Sequence, residues 1–229
     1  MNEALSYRVG MILPSANVVA ECEMPELLPA NISVHTTRLR LTGSSLSDLL
    51  GMQEQVEHAA ALLADAEVDL IAFHCTAVST LSDAVEASIV ARAEKSSGLN
   101  VMTTGQALVD ELYFNNIKQI VLVTPYLSEI TGRESAFFAR RGVEVLSSFS
   151  AGISLATDMP KLPAEHWQKI VLQHRHPDAD AYLLSCNGIW SNKCRSQLEL
   201  ELGRPVITSN SALAAYCVRA SDRKFALSD

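Results

Sequence analysis

The chain repeats itself, and the repeat decides where two thiols must lie. Pro14 closes the apolar run Val9 to Leu13, and Cys75 follows 61 residues later (75 − 14). Pro125 closes the run Ile120 to Val123, and Cys186 follows after the same 61 residues (186 − 125). Each cysteine stands at the end of an apolar run of its own, Leu70 to Phe73 and Ala181 to Leu184. Further on, Val101-Met102-Thr103-Thr104-Gly105-Gln106-Ala107-Leu108 is echoed by Val206-Ile207-Thr208-Ser209-Asn210-Ser211-Ala212-Leu213. Such a chain reads as two copies of one unit, each with one thiol at a strand end. Both thiols can then be aimed at a shared cleft, as chemistry on opposite faces of a small molecule requires.

Short apolar runs alternate with helical patterns, the signature of parallel sheets covered by helices. In the first half, strands are expected at 9–13, 33–39 and 70–73, with helices over 20–28, 47–66 and 82–95. Ser82 serves the last as N-cap, and Gly98 marks its exit. In the second half, strands fall at 120–123, 143–146, 181–184 and 206–208, with helices over 129–141, 163–174, 191–202 and 211–220. Segment 149–162 reads as a loop able to cover a site. The lobes divide at 1–112 and 113–210, with the C-terminal helix segment 211–229 packing back on the first.

The 229 residues carry a net charge of −8 without a clustered basic stripe, which argues against a nucleic-acid partner. No run approaches the roughly 18 apolar residues of a membrane span. The first eight residues lack a secretory pattern, and five cysteines without a C-x-x-C pair fit a reducing cytoplasm. Apolar helices on both lobes point to a homo-oligomer, a dimer or tetramer.

Four loops at strand ends hold the candidate chemistry: Pro14 to Asn17, His74 to Ala77, Thr124 to Tyr126 and Ser185 to Gly188. They are rich in hydroxyls, amides and small residues and poor in charge. Backbone N–H groups at the helix starts beyond them can bind a carboxylate without an arginine clamp. Cys75 and Cys186 are placed just before helix N-termini, where the dipole favours a thiolate. Ser15, Asn17, Thr76, Ala77, Tyr126, Asn187 and Gly188 are the candidate substrate-binding residues. His74 neighbours Cys75 along a strand and so points to the other face, which suits a packing or hydrogen-bonding role. Cys22, Cys194 and Cys217 have no counterparts in the repeat and read as ordinary core or surface thiols. No histidine shows metal-ligand spacing, and no dinucleotide, Walker or G-x-S-x-G motif is present. The expectation is thiol chemistry with neither cofactor nor metal.

In this order and spacing the motifs resemble the aspartate/glutamate racemase superfamily, most closely its maleate cis–trans isomerase branch. The carriers are Pro14-Ser15-Ala16-Asn17, Cys75-Thr76, Thr124-Pro125-Tyr126, Ser185-Cys186 and Pro205 to Asn210. The resemblance implies two flavodoxin-like α/β lobes, each with a four-stranded parallel sheet flanked by helices. A pseudo-twofold axis would relate them, with the active site in the interlobe cleft. It implies Cys75 as nucleophile of an isomerase, or one of two acid/base thiols of a racemase, with Cys186 opposite. Asn17 and Tyr126 would hold a substrate carboxylate, helped by Thr76 and Asn187. Relatives include arylmalonate decarboxylases, which keep only the second cysteine, and proteins of ectoine breakdown. The Cys186-Asn187-Gly188 loop is closer to the decarboxylase version, while the stretch from Cys75 to Ser79 is similar to the ectoine-associated members.

Two opposed thiols suit racemisation, and one thiolate adding to a double bond suits cis–trans isomerisation. The leading expectation is therefore an isomerase or racemase of a small carboxylate or dicarboxylate. A decarboxylase or lyase with Cys186 as proton donor is the enzymatic alternative, and a non-catalytic carboxylate-binding protein is the other.

Overall fold

The computed structural model describes residues 7–226. The opening residues read above for a missing signal, and the end of the 211–229 segment, lie outside that range. The first half contains β1 (Tyr7–Pro14), α1 (Ala20–Leu27), β2 (Ile32–Leu39), α2 (Leu46–Met52), α3 (Val56–Asp65), β3 (Leu70–Phe73), α4 (Thr76–Ser79), α5 (Asp83–Ser97), β4 (Val101–Thr103) and α6 (Thr104–Phe114). The second contains β5 (Gln119–Thr124), α7 (Ser128–Arg140), β6 (Glu144–Ser150), α8 (Ala164–Gln173), β7 (Ala181–Leu184), α9 (Asn192–Leu202), β8 (Val206–Thr208) and α10 (Ser209–Ala226). The sheets share one strand order, β2-β1-β3-β4 and β6-β5-β7-β8, and every pairing is parallel. This is the doubly wound α/β architecture expected.

The inner strands are apolar on both faces because helices cover both. On β1, Val9, Met11 and Leu13 face α1 and α10, while Ile12 faces the α3 and α5 side. Gly10 sits where α3 comes closest: a Cβ there would lie 3.0 Å from Leu63 Cδ1. Ser82 caps α5 by accepting the Val85 N–H at 3.2 Å, and Gly98 ends the helix in the left-handed region at φ 72°.

Two features depart from the sequence reading. The helix expected over 47–66 is broken, with a 3-10 turn at Gln53–Gln55 separating α2 from α3. Its halves have different duties. Leu49 lines the site, as shown below, whereas Val56, Ala59, Ala60 and Leu63 pack on the first sheet, and one straight rod cannot serve both directions. The echoed segments also do more than repeat. Leu108, Val109 and Leu112 of α6 pack on the second sheet with Ile120 and Leu122, while Leu213, Ala214 and Cys217 of α10 pack on the first with Val9 and Met11. Each half lends its last helix to the other, and position 112 falls inside α6.

Among the described residues no helix is long and apolar enough to cross a membrane.

Candidate active site

In both sheets the chain winds in opposite directions from the two central strands, which opens a crevice beyond their carboxyl ends. The first crevice lies between β1 and β3 and the second between β5 and β7. Cys75 therefore sits beside the Asn17 loop, and Cys186 beside Tyr126. The crevices face each other and merge into one cavity of about 40 Å³, lined by Pro14, Asn17, Cys75, Tyr126, Cys186 and Asn187, among others. Both thiols are 3% exposed.

The floor is polar. Asn17 Oδ1 accepts from the Val19 and Ala20 N–H groups and so caps α1, while its Nδ2 donates to the Asn187 carbonyl at 3.1 Å across the lobes. Asn187 Nδ2 returns the link by donating to the His74 carbonyl. The Gly188 N–H donates to Cys186 Sγ at 3.2 Å, and Tyr126 lines the cavity with the same sulfur. A Cβ on Gly188 would stand 3.6 Å from that sulfur and 3.7 Å from Asn17 Nδ2, in ordinary van der Waals contact with both.

The roof is apolar. The segment after β6 crosses the cleft, and Leu155 makes an isolated antiparallel bridge with Gly43. Ser44 Oγ donates to the carbonyls of Ile153 and Ser154, both at 3.0 Å. This contact lays Leu41, Leu49, Ala156 and Met159 over the cavity. Met159 Sδ lies 3.9 Å from Cys186 Sγ. The segment 149–162, expected as a loop able to cover a site, contributes Ala156 and Met159 to the cavity wall, although β6 runs on to Ser150 and 156–161 form a 3-10 turn.

The electrostatics correct one expectation. Cys75 is the residue before α4, but Cys186 is separated from α9 by Asn187 to Ser191. Neither thiol is biased towards thiolate. Burial pushes Cys75 up to about 12, against the Val78 N–H, and Cys186 up to about 11, against Tyr126 and the Gly188 N–H. Desolvation of a sulfur anion outweighs a short helix's dipole. Burial likewise raises the Tyr126 hydroxyl well above its ordinary value.

Of the candidate binding residues, Asn17, Ala77, Tyr126, Asn187 and Gly188 line the cavity with the two cysteines. Ser15 and Thr76 do not. The Ser15 hydroxyl accepts from the Leu41 N–H at 3.0 Å, and Thr76 Oγ1 donates to Ser209 Oγ at 2.9 Å. His74 is fully buried and hydrogen-bonds Thr104 and Asn210. Cys22 is exposed, and Cys194 and Cys217 are buried.

Three contributions escaped the sequence reading. Arg38 Nη1 donates to the carbonyls of Ser15 at 3.1 Å and Asn17 at 2.6 Å, pinning the first loop from outside. Glu134, fully buried, accepts from Ser185 Oγ behind Cys186. Glu23, buried on α1, is held by Asn210 and the Asn192 N–H. The repeat itself carried a signal for the two acids: they are 111 residues apart (134 − 23), the same interval as the cysteines (186 − 75).

The family profile of arylmalonate decarboxylase matches residues 9–226. The chain belongs to the arylmalonate decarboxylase family. Within reach of that family, the maleate isomerase of Alcaligenes faecalis is 27% identical, over 89% of this chain and 87% of its own length. The maleate isomerase of Pseudomonas putida S16, solved with maleate and with alanine in place of one cysteine, superposes with a TM-score of 0.90. It is 23% identical and covers 94% of this chain and 92% of its own, which speaks to the fold. A serine-for-cysteine variant of the Nocardia farcinica maleate cis–trans isomerase, carrying a covalently bound succinylcysteine intermediate, gives 0.88 at 25% identity. It covers 94% of this chain and 93% of its own.

Proposed function

We propose that this member of the arylmalonate decarboxylase family is a cofactor-independent cysteine isomerase acting on a small cis-enedioate of the maleate type. The observation that carries the reading is the pair of thiols, Cys75 and Cys186, on the wall of one small cavity floored by amide and hydroxyl donors. The maleate isomerases among its relatives, and the succinylcysteine formed in one of them, support the choice of substrate class.

The raised thiols shape the mechanism. The sulfur of Cys75 bonds to one alkene carbon, and the π pair moves to the other carbon and into its carboxylate as an enediolate. Asn17 and Tyr126 offer hydrogen bonds to the carboxylate charge as it grows. Cys186 delivers its proton to the second carbon, and the proton released by Cys75 replaces it on Cys186. The net step adds one S–H across the double bond without a change of charge, as a desolvated cavity favours. The resulting single bond rotates. The reverse sequence releases product: Cys186 passes its proton to the departing Cys75 sulfur as it takes one from carbon, the C–H electron pair re-forms the double bond, and the trans acid leaves two neutral thiols.

A second reading has an observation of its own. Leu41, Leu49 and Met159 put an apolar roof above a neutral Cys186 thiol, an environment that favours loss of a carboxylate as carbon dioxide and protonation of the remaining enediolate. Proton NMR in deuterated water, with maleate and an arylmalonate as separate substrates, distinguishes the two. Isomerase action moves the alkene signal from the cis to the trans acid, and Cys75→Ser and Cys186→Ser each lower the rate roughly a hundredfold or more. Carbon dioxide release from the malonate, with the alkene untouched, would favour the second reading. Full turnover in both variants would defeat either.

A further inference from the structure

Beneath the cavity floor, a buried chain of polar groups ties both thiol loops to a carboxyl that the chemistry above does not use. Glu23 is 1% exposed. Its Oε1 accepts from the Asn192 N–H at 3.3 Å, where the Cys186 loop enters α9. Its Oε2 accepts from Asn210 Nδ2 at 2.7 Å. Asn210 Oδ1 is 2.8 Å from His74 Nε2, and His74 Nδ1 is 2.9 Å from Thr104 Oγ1. Thr104 Oγ1 also lies 3.3 Å from the carbonyl of Phe73, two residues before Cys75. The Asn187 amide donates to the His74 carbonyl and closes the circuit between the lobes.

This chain has two self-consistent directions. With Glu23 ionised, both its partners donate to it. Asn210 Oδ1 then receives the His74 Nε2–H, and His74 Nδ1 receives the Thr104 hydroxyl proton. A protonated Glu23 must donate, yet Asn192 N–H and Asn210 Nδ2 are both donors. The remedy is a turn of the Asn210 amide, so that Oδ1 takes the Glu23 proton and Nδ2 faces His74. His74 must then carry its proton on Nδ1, donating to Thr104, whose hydroxyl turns to the Phe73 carbonyl. Side-chain amides and imidazole tautomers are set by just such networks.

We propose that Glu23 is a positioning residue for both thiols, and that gaining a proton reverses the hydrogen-bond chain running from it through Asn210 and His74 to the Cys75 strand end. Glu26 on the same helix, Lys193 and Cys194 on α9, and Cys186 on its loop are the titratable groups that face Glu23, with His74 beyond Asn210. Burial lifts the Glu23 carboxyl to about 7 and lowers His74 to about 4. His74 therefore changes tautomer rather than charge as Glu23 titrates. One proton enters at Glu23, and the ring proton moves from Nε2 to Nδ1 by exchange with solvent during local opening.

Only the kinetic consequence rests on the proposed isomerase reading. The test is nitrogen-15 NMR of histidine side chains in the intact protein from about pH 5.5 to about pH 8.5, where buried neutral rings report their tautomer directly. The His74 signal, assigned by its loss in His74→Asn, is expected as Nε2–H at the alkaline end and Nδ1–H at the acid end. Glu23→Gln is expected to hold one tautomer throughout. With maleate as substrate, kcat bends at the same midpoint in the parent and not in Glu23→Gln. A single His74 tautomer across the range in the parent, or an undiminished switch in Glu23→Gln, overturns the proposal. Absence of turnover would count against the isomerase reading and leave the tautomer result standing.

Discussion

Cys75 and Cys186 must react with carbon, yet their surroundings keep them protonated. Their positions were legible from the repeat, but their state was not, because a helix dipole can be read from sequence and desolvation cannot. With thiols raised to about 12 and about 11, the reactive anion is scarce at neutral pH and grows with every step upward. Alkylation of both sites by iodoacetamide, mapped by peptide mass spectrometry, is expected to accelerate about tenfold per pH unit without levelling before about pH 10. A plateau below about pH 8 would mean that an activated thiolate exists. Glu134 offers a second test. Burial raises its carboxyl from 4.5 to about 8, and one of its oxygens has no hydrogen-bond partner. The native state therefore holds a proton that the unfolded chain releases between those values. Stability from this group is complete below about 4.5 and declines as pH rises towards 8. Glu134→Gln cannot ionise, so its Tm relative to the parent is expected to improve by at least ~2–4 °C between about pH 5 and about pH 8.5. An unchanged difference would show that Glu134 is ionised in the fold.

At the scale of elements, strands and caps were the most readable parts. Leu70–Phe73 and Ala181–Leu184 are continuous apolar runs because helices cover both faces, and the structure keeps those limits. The break between α2 and α3 was hidden because its cause is tertiary: Leu49 turns to the cavity while Val56 turns to the sheet. The crossing of α6 and α10 was hidden for a similar reason, since an apolar stripe does not say which sheet it covers. The roof depends on few bonds. Ser44→Ala removes the one hydroxyl proton shared between the carbonyls of Ile153 and Ser154, worth about 1 kcal/mol. The expected result is faster amide hydrogen exchange across 153–162 and a higher KM, with the rest of the exchange pattern unchanged. If exchange in that segment stays as in the parent, Ser44 does not hold the roof.

For the whole molecule, the exchange of terminal helices makes the lobes interdependent, and one apolar cluster runs from Ile71 and Phe73 through Cys75, Tyr126 and Cys186 to Val121 and Leu184. The site is thus the middle of a continuous core, which explains why a few donors and two sulfurs can be held there without charged side chains. The repeat in the sequence announced this arrangement, and the 111-residue interval extends it to Glu23 and Glu134. What the sequence lacked was the third dimension that brings Met159, Leu41 and Leu49 over the same few atoms. The central claim is that Cys75 and Cys186 share one substrate, the first bonding carbon and the second moving a proton. Mass spectrometry of Cys186→Ser after incubation with maleate tests it most directly. The account predicts one maleate added to the peptide containing Cys75 and to no other cysteine peptide. An adduct confined to Cys22, Cys194 or Cys217, or normal turnover with Cys75 left unmodified, would contradict it.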